Sequence, residues 1–227
     1  MAISYESLLP EVLPMVAGCS DTLAENAIRS AAIEFCERTS AYQLELEPIT
    51  TISNIYEYDL EPPTGTTVHK ILWVTHDGQD LEPLTTTLLE QRVPRWRTDN
   101  GLPVYFVKPT ASLIWLVPIP IAQLVNSTII RVVLKPTHTS TMSDESIMDE
   151  YRDAIVNGAL FRLLRIPGKD WSDLQGAQLY SSLFESVVIT AERRGRQADE
   201  GVARRVVYGG VGGFGSRRRN RYGRERG

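Results

Sequence analysis

Three histidines and a glycine-rich string are the residues of this chain that could support catalysis or cofactor binding. His69 and His76 bracket a strand-like segment that has no cysteine or carboxylate at metal-ligand spacing, so both are expected at ordinary strand and turn positions. The catalytic signatures G-x-S-x-G and H-E-x-x-H and the P-loop signature do not occur. The third histidine, His138, is far from the other two in the sequence. Glu145 and Asp149 lie one helical turn apart, as is typical of an acidic helix start. The sequence therefore predicts a protein that is not an enzyme, with no catalytic residues, no metal and no cofactor.

The glycine-rich string GVGGFG, residues 210–215, has the G-x-G-x-x-G spacing of a dinucleotide-binding loop. Such a loop must follow a buried strand and open a helix whose N-terminus holds the pyrophosphate. Only Val206–Tyr208 is strand-like before it, and the following SRRRNRYGRERG cannot form an amphipathic helix. The string is therefore interpreted as part of a disordered or extended arm, because its composition cannot bury enough apolar surface to fold alone.

Charge separates this arm from the rest of the chain. Residues 201–227 contain eight arginines and one glutamate, about +7, whereas residues 1–200 carry about −11. A basic tail on an acidic body is typical of an interaction arm. The residues alone leave three alternatives open: an arm that binds RNA or DNA, a solvated tail without a role, and an arm ordered by an acidic groove of another protein.

The composition of the 227-residue chain is that of an ordinary globular protein, 42% hydrophobic and 23% charged. The chain could form one large domain or two small ones. It lacks an apolar run of the roughly 20 residues that a membrane span needs, and its N-terminus does not resemble a signal peptide. We therefore expect no membrane association, a reducing cytoplasm as the location, and unpaired cysteines at Cys19 and Cys36.

Hydrophobic periodicity divides the chain into helical, strand-rich and again helical parts. A helix is predicted from Ser20 to about Thr39, with Thr22 and Glu25 at the spacing of a capping box. Strand patterns then continue to about Pro136, interrupted by one short helix at residues 87–93. Turns are predicted at residues 76–79 and 99–101. Because Pro118 and Pro120 cannot donate to a ladder, the strand that they end is expected at a sheet edge.

The helical period returns after the strands. Ser143 or Asp144 can cap a helix that ends at Pro167-Gly168. It presents one apolar face, and its Gly158 permits close approach of another helix. A second long helix is predicted for residues 170–194. The apolar face of the first comprises Met148, Tyr151, Ile155, Ala159 and Leu163, and that of the second Leu174, Ala177, Ser181, Phe184, Val188 and Ala191.

The predicted fold class is α+β, a helical bundle with an inserted small antiparallel β sandwich or barrel. Residues 1–41 would supply the N-terminal helices of the bundle and residues 42–136 the antiparallel β domain. Residues 137–195 would form the C-terminal helical hairpin that completes the bundle, and residues 196–227 the basic Gly/Arg-rich arm.

Three stretches resemble the head-to-tail adaptor proteins of short-tailed bacteriophages, also called connector or head-completion proteins. SYESLLPEVLPMVAGCSDTLAENAIRSAAIEFCERT is similar to their opening helices. GLPVYFVKPTASLIWLVPIP resembles their G-x-P-x-x-Y-like hairpin with a Pro-x-Pro edge strand, although Tyr105 falls one position early. DEYRDAIVNGALFRLLRIPGKDWSDLQGAQLYSSLFESVV resembles their paired C-terminal helices, with the Gly-Ala-Leu and Pro-Gly-Lys-Asp-Trp landmarks. The order and spacing of these stretches carry the resemblance over residues 1 to about 195.

The resemblance implies a structural virion protein of the neck that is monomeric when free and forms a dodecameric ring on the portal protein. Such a ring would support the tail nozzle or other tail proteins and let viral DNA pass without sequence-specific binding. In that setting the arm would dock on the portal and order only there. The alternatives are a nucleic-acid-binding protein that uses the Arg-rich tail, and a tail-tube or nozzle component. The predicted docking residues are Arg204, Arg205, Phe214, Arg217, Arg218, Arg219, Arg221, Tyr222 and Arg224.

Overall fold

The structure, a computed structural model, describes residues 2–199, which contain six α-helices and thirteen β-strands. The prediction of a chain that mixes α and β structure is confirmed, and its sheets include a curled half-barrel. The helices are α1 (Leu9–Val12), α2 (Asp21–Thr39), α3 (Thr86–Arg92), α4 (Glu145–Glu150), α5 (Arg152–Leu164) and α6 (Leu174–Asp199), with 3-10 turns at Tyr5–Leu8 and Leu13–Met15. The strands are β1 (Ala2–Ser4), β2 (Gln43–Glu45), β3 (Ile49–Thr51), β4 (Glu57–Asp59), β5 (Thr66–His76), β6 (Gln79–Asp80), β7 (Glu82–Pro83), β8 (Asn100–Gly101), β9 (Tyr105–Val107), β10 (Leu113–Val117), β11 (Ile119–Pro120), β12 (Leu124–Pro136) and β13 (Met142–Asp144).

Helix α2 begins where the sequence predicts, but with a different cap. The Ser20 hydroxyl accepts a hydrogen bond from the Leu23 amide, so Ser20 is the N-cap. The prediction of a capping box at Thr22 and Glu25 is wrong, because both residues lie inside the helix. The helix ends at Thr39, and Ser40 takes the left-handed conformation that closes many helices.

The predicted C-terminal helices occur with shifted boundaries. The first is divided at Tyr151 into α4 and α5, and Asp144 caps α4 by accepting from the Ser146 amide at 2.9 Å. The second begins at Leu174 because Asp173 occupies the cap position and accepts from the Gln175 amide at 3.0 Å. Leu174 is exposed and does not join the packed face as predicted.

Helices α2, α5 and α6 pack against one another around Gly158. A Cβ atom placed on Gly158 would lie 3.0 Å from the Ala31 Cβ atom and 3.0 Å from the Phe184 ring. Phe35 of α2 contacts the Tyr151 ring at 4.7 Å and the Phe184 ring at 6.4 Å between centroids. The predicted close helix approach at Gly158 is therefore confirmed, and the missing side chain is what allows it.

Ion pairs join the same three helices at their exposed edge. The Arg38 guanidinium donates to both carboxylate oxygens of Glu185, each at 2.6 Å, and to Glu34 at 3.1 Å. Arg162 of α5 donates to the other oxygen of Glu34. The guanidinium of Arg38 lowers the pKa of Glu185, so the pair is charged at neutral pH. This network links α2 to both α5 and α6.

The larger sheet is organised around the long strand β12. It has the strand order β2-β12-β5-β6, and β3 also pairs with β12. The β5–β12 ladder runs antiparallel from Thr128 opposite His76 to Pro136 opposite Thr66. The hairpin turn predicted at residues 76–79 is confirmed, with Asp77 and Gly78 at φ 48° and 74° between β5 and β6. These two positive angles are those of the favoured two-residue hairpin turn.

The smaller sheet corrects two expectations. Its strand order is β4-β10-β9-β7, so β10 lies between two strands and not at an edge. The edge prediction is wrong because Pro118 and Pro120 follow the β10 ladder and need not donate to it. Pairing in the β region is also not purely antiparallel, since β7 runs parallel to β9 in this sheet and β8 runs parallel to β11 in a separate two-stranded sheet. Residues 100–101, predicted to be a turn, form β8.

Two hydrophobic clusters fill the described part of the chain. The main core continues from the three packed helices into the larger sheet, where Val74, Ile130 and Leu134 are buried. A separate small cluster surrounds Trp96 with Leu89 and other side chains of the segment between β7 and β11. The Trp96 ring stacks on Trp115 at 5.0 Å between centroids. The β region therefore has its own minor core in addition to the shared one.

Candidate assembly surfaces

The residues singled out for possible chemistry occupy structural positions. His76 is buried in β5, and its Nδ1 atom lies 2.9 Å from the Thr128 hydroxyl oxygen, with which it is hydrogen-bonded. Burial lowers the pKa of both His76 and His69. His69 and His76 were expected at ordinary strand and turn positions, and the structure places His69 within β5 and His76 at its last residue, next to the hairpin turn. Within residues 2–199, histidine, cysteine, aspartate and glutamate nowhere form a group of three that could hold a metal ion.

Both cysteines are free thiols, as predicted. Cys36 lies in the main core, where burial raises its pKa to about 12. Cys19 is half-buried, and burial likewise raises the pKa of its thiol. Cys36 therefore serves as a small apolar side chain of α2.

The nine predicted docking residues lie outside the described residues, and their role stays a prediction. They are Arg204, Arg205, Phe214, Arg217, Arg218, Arg219, Arg221, Tyr222 and Arg224.

Helix α6 precedes these residues in the chain, and its contacts with the rest of the fold are described. A Cβ atom on Gly195 of α6 would lie only 2.3 Å from the Thr39 carbonyl oxygen, so α6 meets the end of α2 in close backbone contact. One residue earlier, Arg194 donates to Glu150 at 3.1 Å. The base of the arm is thus fixed beside the C-terminal end of α2.

A second surface lies in the β region and is apolar. Five large hydrophobic side chains are exposed there, with exposed fractions between 41% and 74%. We call this surface the apolar tip, and it consists of Ile52, Ile55, Leu102, Ile121 and Val125.

Hydrogen bonds bring the loops of the apolar tip together. The Asn54 amide donates to the Pro120 carbonyl at 2.9 Å, and the Ser53 hydroxyl donates to the Ile121 carbonyl at 3.0 Å. The Asn100 side chain donates to the Asn54 side chain at 3.0 Å, which adds the loop that carries Leu102. Val125 is placed beside the same loop because β12 pairs with β3 there.

Tyr58 anchors the backbone of the loop formed by residues 52–55. Its buried side chain accepts a hydrogen bond from the Ile52 amide at 3.1 Å, and its hydroxyl lies 2.8 Å from the Ile55 carbonyl, to which it donates. The loop conformation is thus anchored to β4 while Ile52 and Ile55 face outward.

Sequence reasoning did not single out the apolar tip, although a signal was present. Residues 48–56, 101–107 and 109–130 contain no lysine, arginine, aspartate or glutamate. Exposed hydrophobic residues are normal when they occur singly, so each stretch reads as an ordinary strand. Only the fold shows that parts of the three uncharged stretches lie next to one another.

The apolar tip and the base of the arm lie at different ends of β12. Leu124, at the start of β12, pairs with Thr51 next to the tip. Leu134, near its other end, donates its amide to the Tyr42 carbonyl, just after the α2 terminus that Gly195 contacts. Ten residues of extended strand span about 33 Å, so the two surfaces are separated by most of that length.

None of the helices formed by residues 2–199 has the length and apolar character needed to cross a bilayer. No curated protein matches the chain at a significant level. The family model of the SU10 adaptor protein matches residues 4–207, which is most of the sequence and includes all the packed helices and the larger and smaller sheets. By this match the chain belongs to the SU10 adaptor protein family.

Proposed function

We propose that this protein is the head-to-tail adaptor of a short-tailed bacteriophage, a structural component of the virion neck. The observation that carries the proposal is the family match over residues 4–207, together with a chain order of helices, inserted strands and paired helices that agrees with it. In this proposal residues 1–41 and 137–195 act as one helical bundle, and residues 42–136 act as the inserted β domain.

The adaptor forms a dodecameric ring between the portal and the tail, and the basic arm docks on the portal. Charge supports the arm as the docking element, since residues 201–227 carry about +7 on a body of about −11. Arginine forks pair with carboxylates in two-point contacts, while Phe214 and Tyr222 fill apolar pockets. The close contact of Gly195 with Thr39 supports this assignment further, because it gives the arm a fixed starting point.

Assembly is sequential because ordering the arm is costly without a partner. Fixing the backbone of one residue costs roughly 1–2 kcal/mol, so the 27 arm residues 201–227 need a preformed surface to order on. Free subunits therefore remain monomeric in the host cytoplasm until the portal templates the ring. Repetition around the ring then multiplies weak contacts into a stable joint. Viral DNA passes through the lumen without sequence-specific contacts, and the acidic body limits its retention.

Native mass spectrometry of nuclease-treated protein, alone and mixed with the portal of the same phage, tests the proposal. We expect a monomer alone and about twelve copies added to each portal ring. Deletion of residues 201–227 should leave a folded monomer that no longer joins the portal. Full-strength docking of the truncated protein would refute the arm assignment.

The nature of the arm contacts is tested by two matched variants. The two variants replace the same four arginines, Arg217, Arg218, Arg219 and Arg221. Alanine removes both the positive charge and the guanidinium group that makes two-point hydrogen bonds, whereas lysine keeps only the charge. We expect the alanine variant to lose portal binding and the lysine variant to bind with intermediate affinity. Absence of portal binding by the wild type, with salt-sensitive retention of nucleic acid, would instead support a nucleic-acid-binding protein. Six copies per assembly would support a nozzle component.

A further inference from the structure

The apolar tip exposes five large hydrophobic side chains that contribute to neither hydrophobic cluster. Leu102 and Val125 are the most exposed, at 64% and 74%. Single exposed hydrophobic residues need no explanation, but a group at one place marks an interaction site. The tip therefore calls for a partner that would cover it.

The tip is also held in one shape. Its loops are joined by the hydrogen bonds of Ser53, Asn54 and Asn100, and Tyr58 fixes the backbone between Ile52 and Ile55. Asn54 and Asn126 have positive φ angles of 64° and 50°, which asparagine tolerates better than most residues. A surface that is already ordered loses little conformational entropy when it binds.

The chemistry of the tip favours a protein partner. The three stretches that form it contain no lysine or arginine, so they offer nothing to neutralise phosphates of nucleic acid or of an anionic lipid surface. They also contain no acidic residue, and the exposed Asp77 and Asp99, which share backbone hydrogen bonds with Ser127 and Ile119, lie only at the rim of the tip. A protein surface that is itself uncharged and apolar matches the tip best, because such surfaces form the buried centre of an interface.

The position of the tip indicates which protein this is. The arm begins beside Thr39 at one end of β12, and the tip lies at the other end, about 33 Å along the strand. One molecule thus presents a basic connection and an uncharged apolar connection at separate ends. If the basic end meets the portal, the apolar end is free for the component that follows on the tail side.

We propose that the apolar tip is the docking surface for the tail protein that follows the adaptor, and that this protein presents an uncharged apolar patch to it. This inference rests on the proposed adaptor function. The tip binds by burying Leu102, Ile121 and Val125, while the basic arm holds the portal.

The first test locates the partner in intact virions. A photo-crosslinking amino acid is placed at Leu102 in phage, with the same substitution at Met15 as a control. Met15 is 57% exposed and belongs to the 3-10 turn that precedes α2. We expect Leu102 to crosslink to a tail protein and Met15 not to. Crosslinks from Leu102 to a second copy of this chain, to the portal, to lipid or to no protein would overturn the proposal.

The second test separates the two connections. The full-length variant Ile121→Lys adds a charge to the tip, and Met15→Lys adds the same charge elsewhere. Each is assembled on the portal, and binding of the purified nozzle protein of the same phage is measured. We expect both variants to join the portal normally. Ile121→Lys should weaken nozzle binding at least about 100-fold, and Met15→Lys by less than about 3-fold.

The outcomes distinguish a failure of the inference from a failure of the adaptor function. Normal nozzle binding by Ile121→Lys, on a portal that it has joined, would refute the docking role of the tip alone. Wild-type protein that never joins the portal would refute the adaptor function. If Ile121→Lys does not fold, Leu102→Gln serves as the second variant, and the crosslinking result decides independently.

Discussion

Large apolar side chains are buried in the helical part of the molecule and exposed at the apolar tip. Around Gly158, the residues Ala31, Phe35 and Phe184 are buried, and the exposed edge of the helices carries the Arg38–Glu185 ion pair. At the tip, Leu102 and Ile121 are exposed, and the stretches that contain them, residues 101–107 and 109–130, have no charged residues. The difference indicates that apolar residues stabilise the fold in the first region and remain available for association in the second.

The strongest test of this comparison truncates one apolar side chain in each region. Phe184→Ala should lower the free energy of unfolding by about 3–5 kcal/mol, because the ring is 2% exposed and its loss leaves a cavity. Ile121→Ala should change it by less than about 0.5 kcal/mol, because the side chain is 57% exposed. Urea unfolding of the two variants measures both values. Equal losses would show that the tip supports the fold, and the comparison would fail.

A smaller effect is expected from adding one methyl group where the helices meet. Gly158→Ala places a Cβ atom 3.0 Å from Ala31 and Phe184, and such overpacking costs about 1–3 kcal/mol. The higher helix propensity of alanine offsets about 1 kcal/mol of this cost. We expect a net destabilisation of about 1 kcal/mol in thermal or urea unfolding. Asn157→Ala, at the neighbouring position of α5, is the control and should not destabilise; a stabilised Gly158→Ala would show that the helices are not closely packed.

The smallest effect concerns the charged edge of the helices. The Arg38 guanidinium lowers the pKa of Glu185 below its ordinary 4.5, so the pair stabilises the fold above about pH 4.5 and is lost as the pH falls through the lowered value. Because both side chains are partly exposed, the effect should not exceed about 1 kcal/mol. Urea unfolding between pH 7 and 3 should show a flatter profile for Glu185→Gln than for the wild type. The difference should shrink in 1 M salt, and identical profiles at low salt would mean that the pair contributes nothing.

Local patterns predicted the helical part well. The apolar face from Met148 to Leu163 is buried, and Gly158 allows the close approach that its small size suggested. These features follow from a repeat of 3.6 residues, which can be read along the chain. The sequence could not predict that Ser20 and not Thr22 is the N-cap. Both are good capping residues, and the backbone geometry decides between them.

Features that depend on which strands become neighbours were harder to predict. The prolines at 118 and 120 suggested an edge strand, yet β10 is flanked by β4 and β9, because the prolines lie beyond its ladder. The apolar tip is a similar case, since Ile52, Leu102 and Ile121 meet only after three separate segments have paired. The nine predicted docking residues of the arm fall outside the described part of the chain, so their prediction rests on charge and on the family.

Strand β12 has a mechanical consequence for a protein placed between two larger structures. A pull between the tip at Leu124 and the arm base near Leu134 would act along the strand axis. Because both points lie on β12, the covalent backbone of this strand would carry the load, and the antiparallel ladder to β5 from Thr128 to Pro136 would hold the strand extended. Pairing with β2 and β3 on the opposite side of β12 adds further hydrogen bonds that hold it. The strand would therefore transmit tension between the apolar tip and the base of the arm as a stiff element.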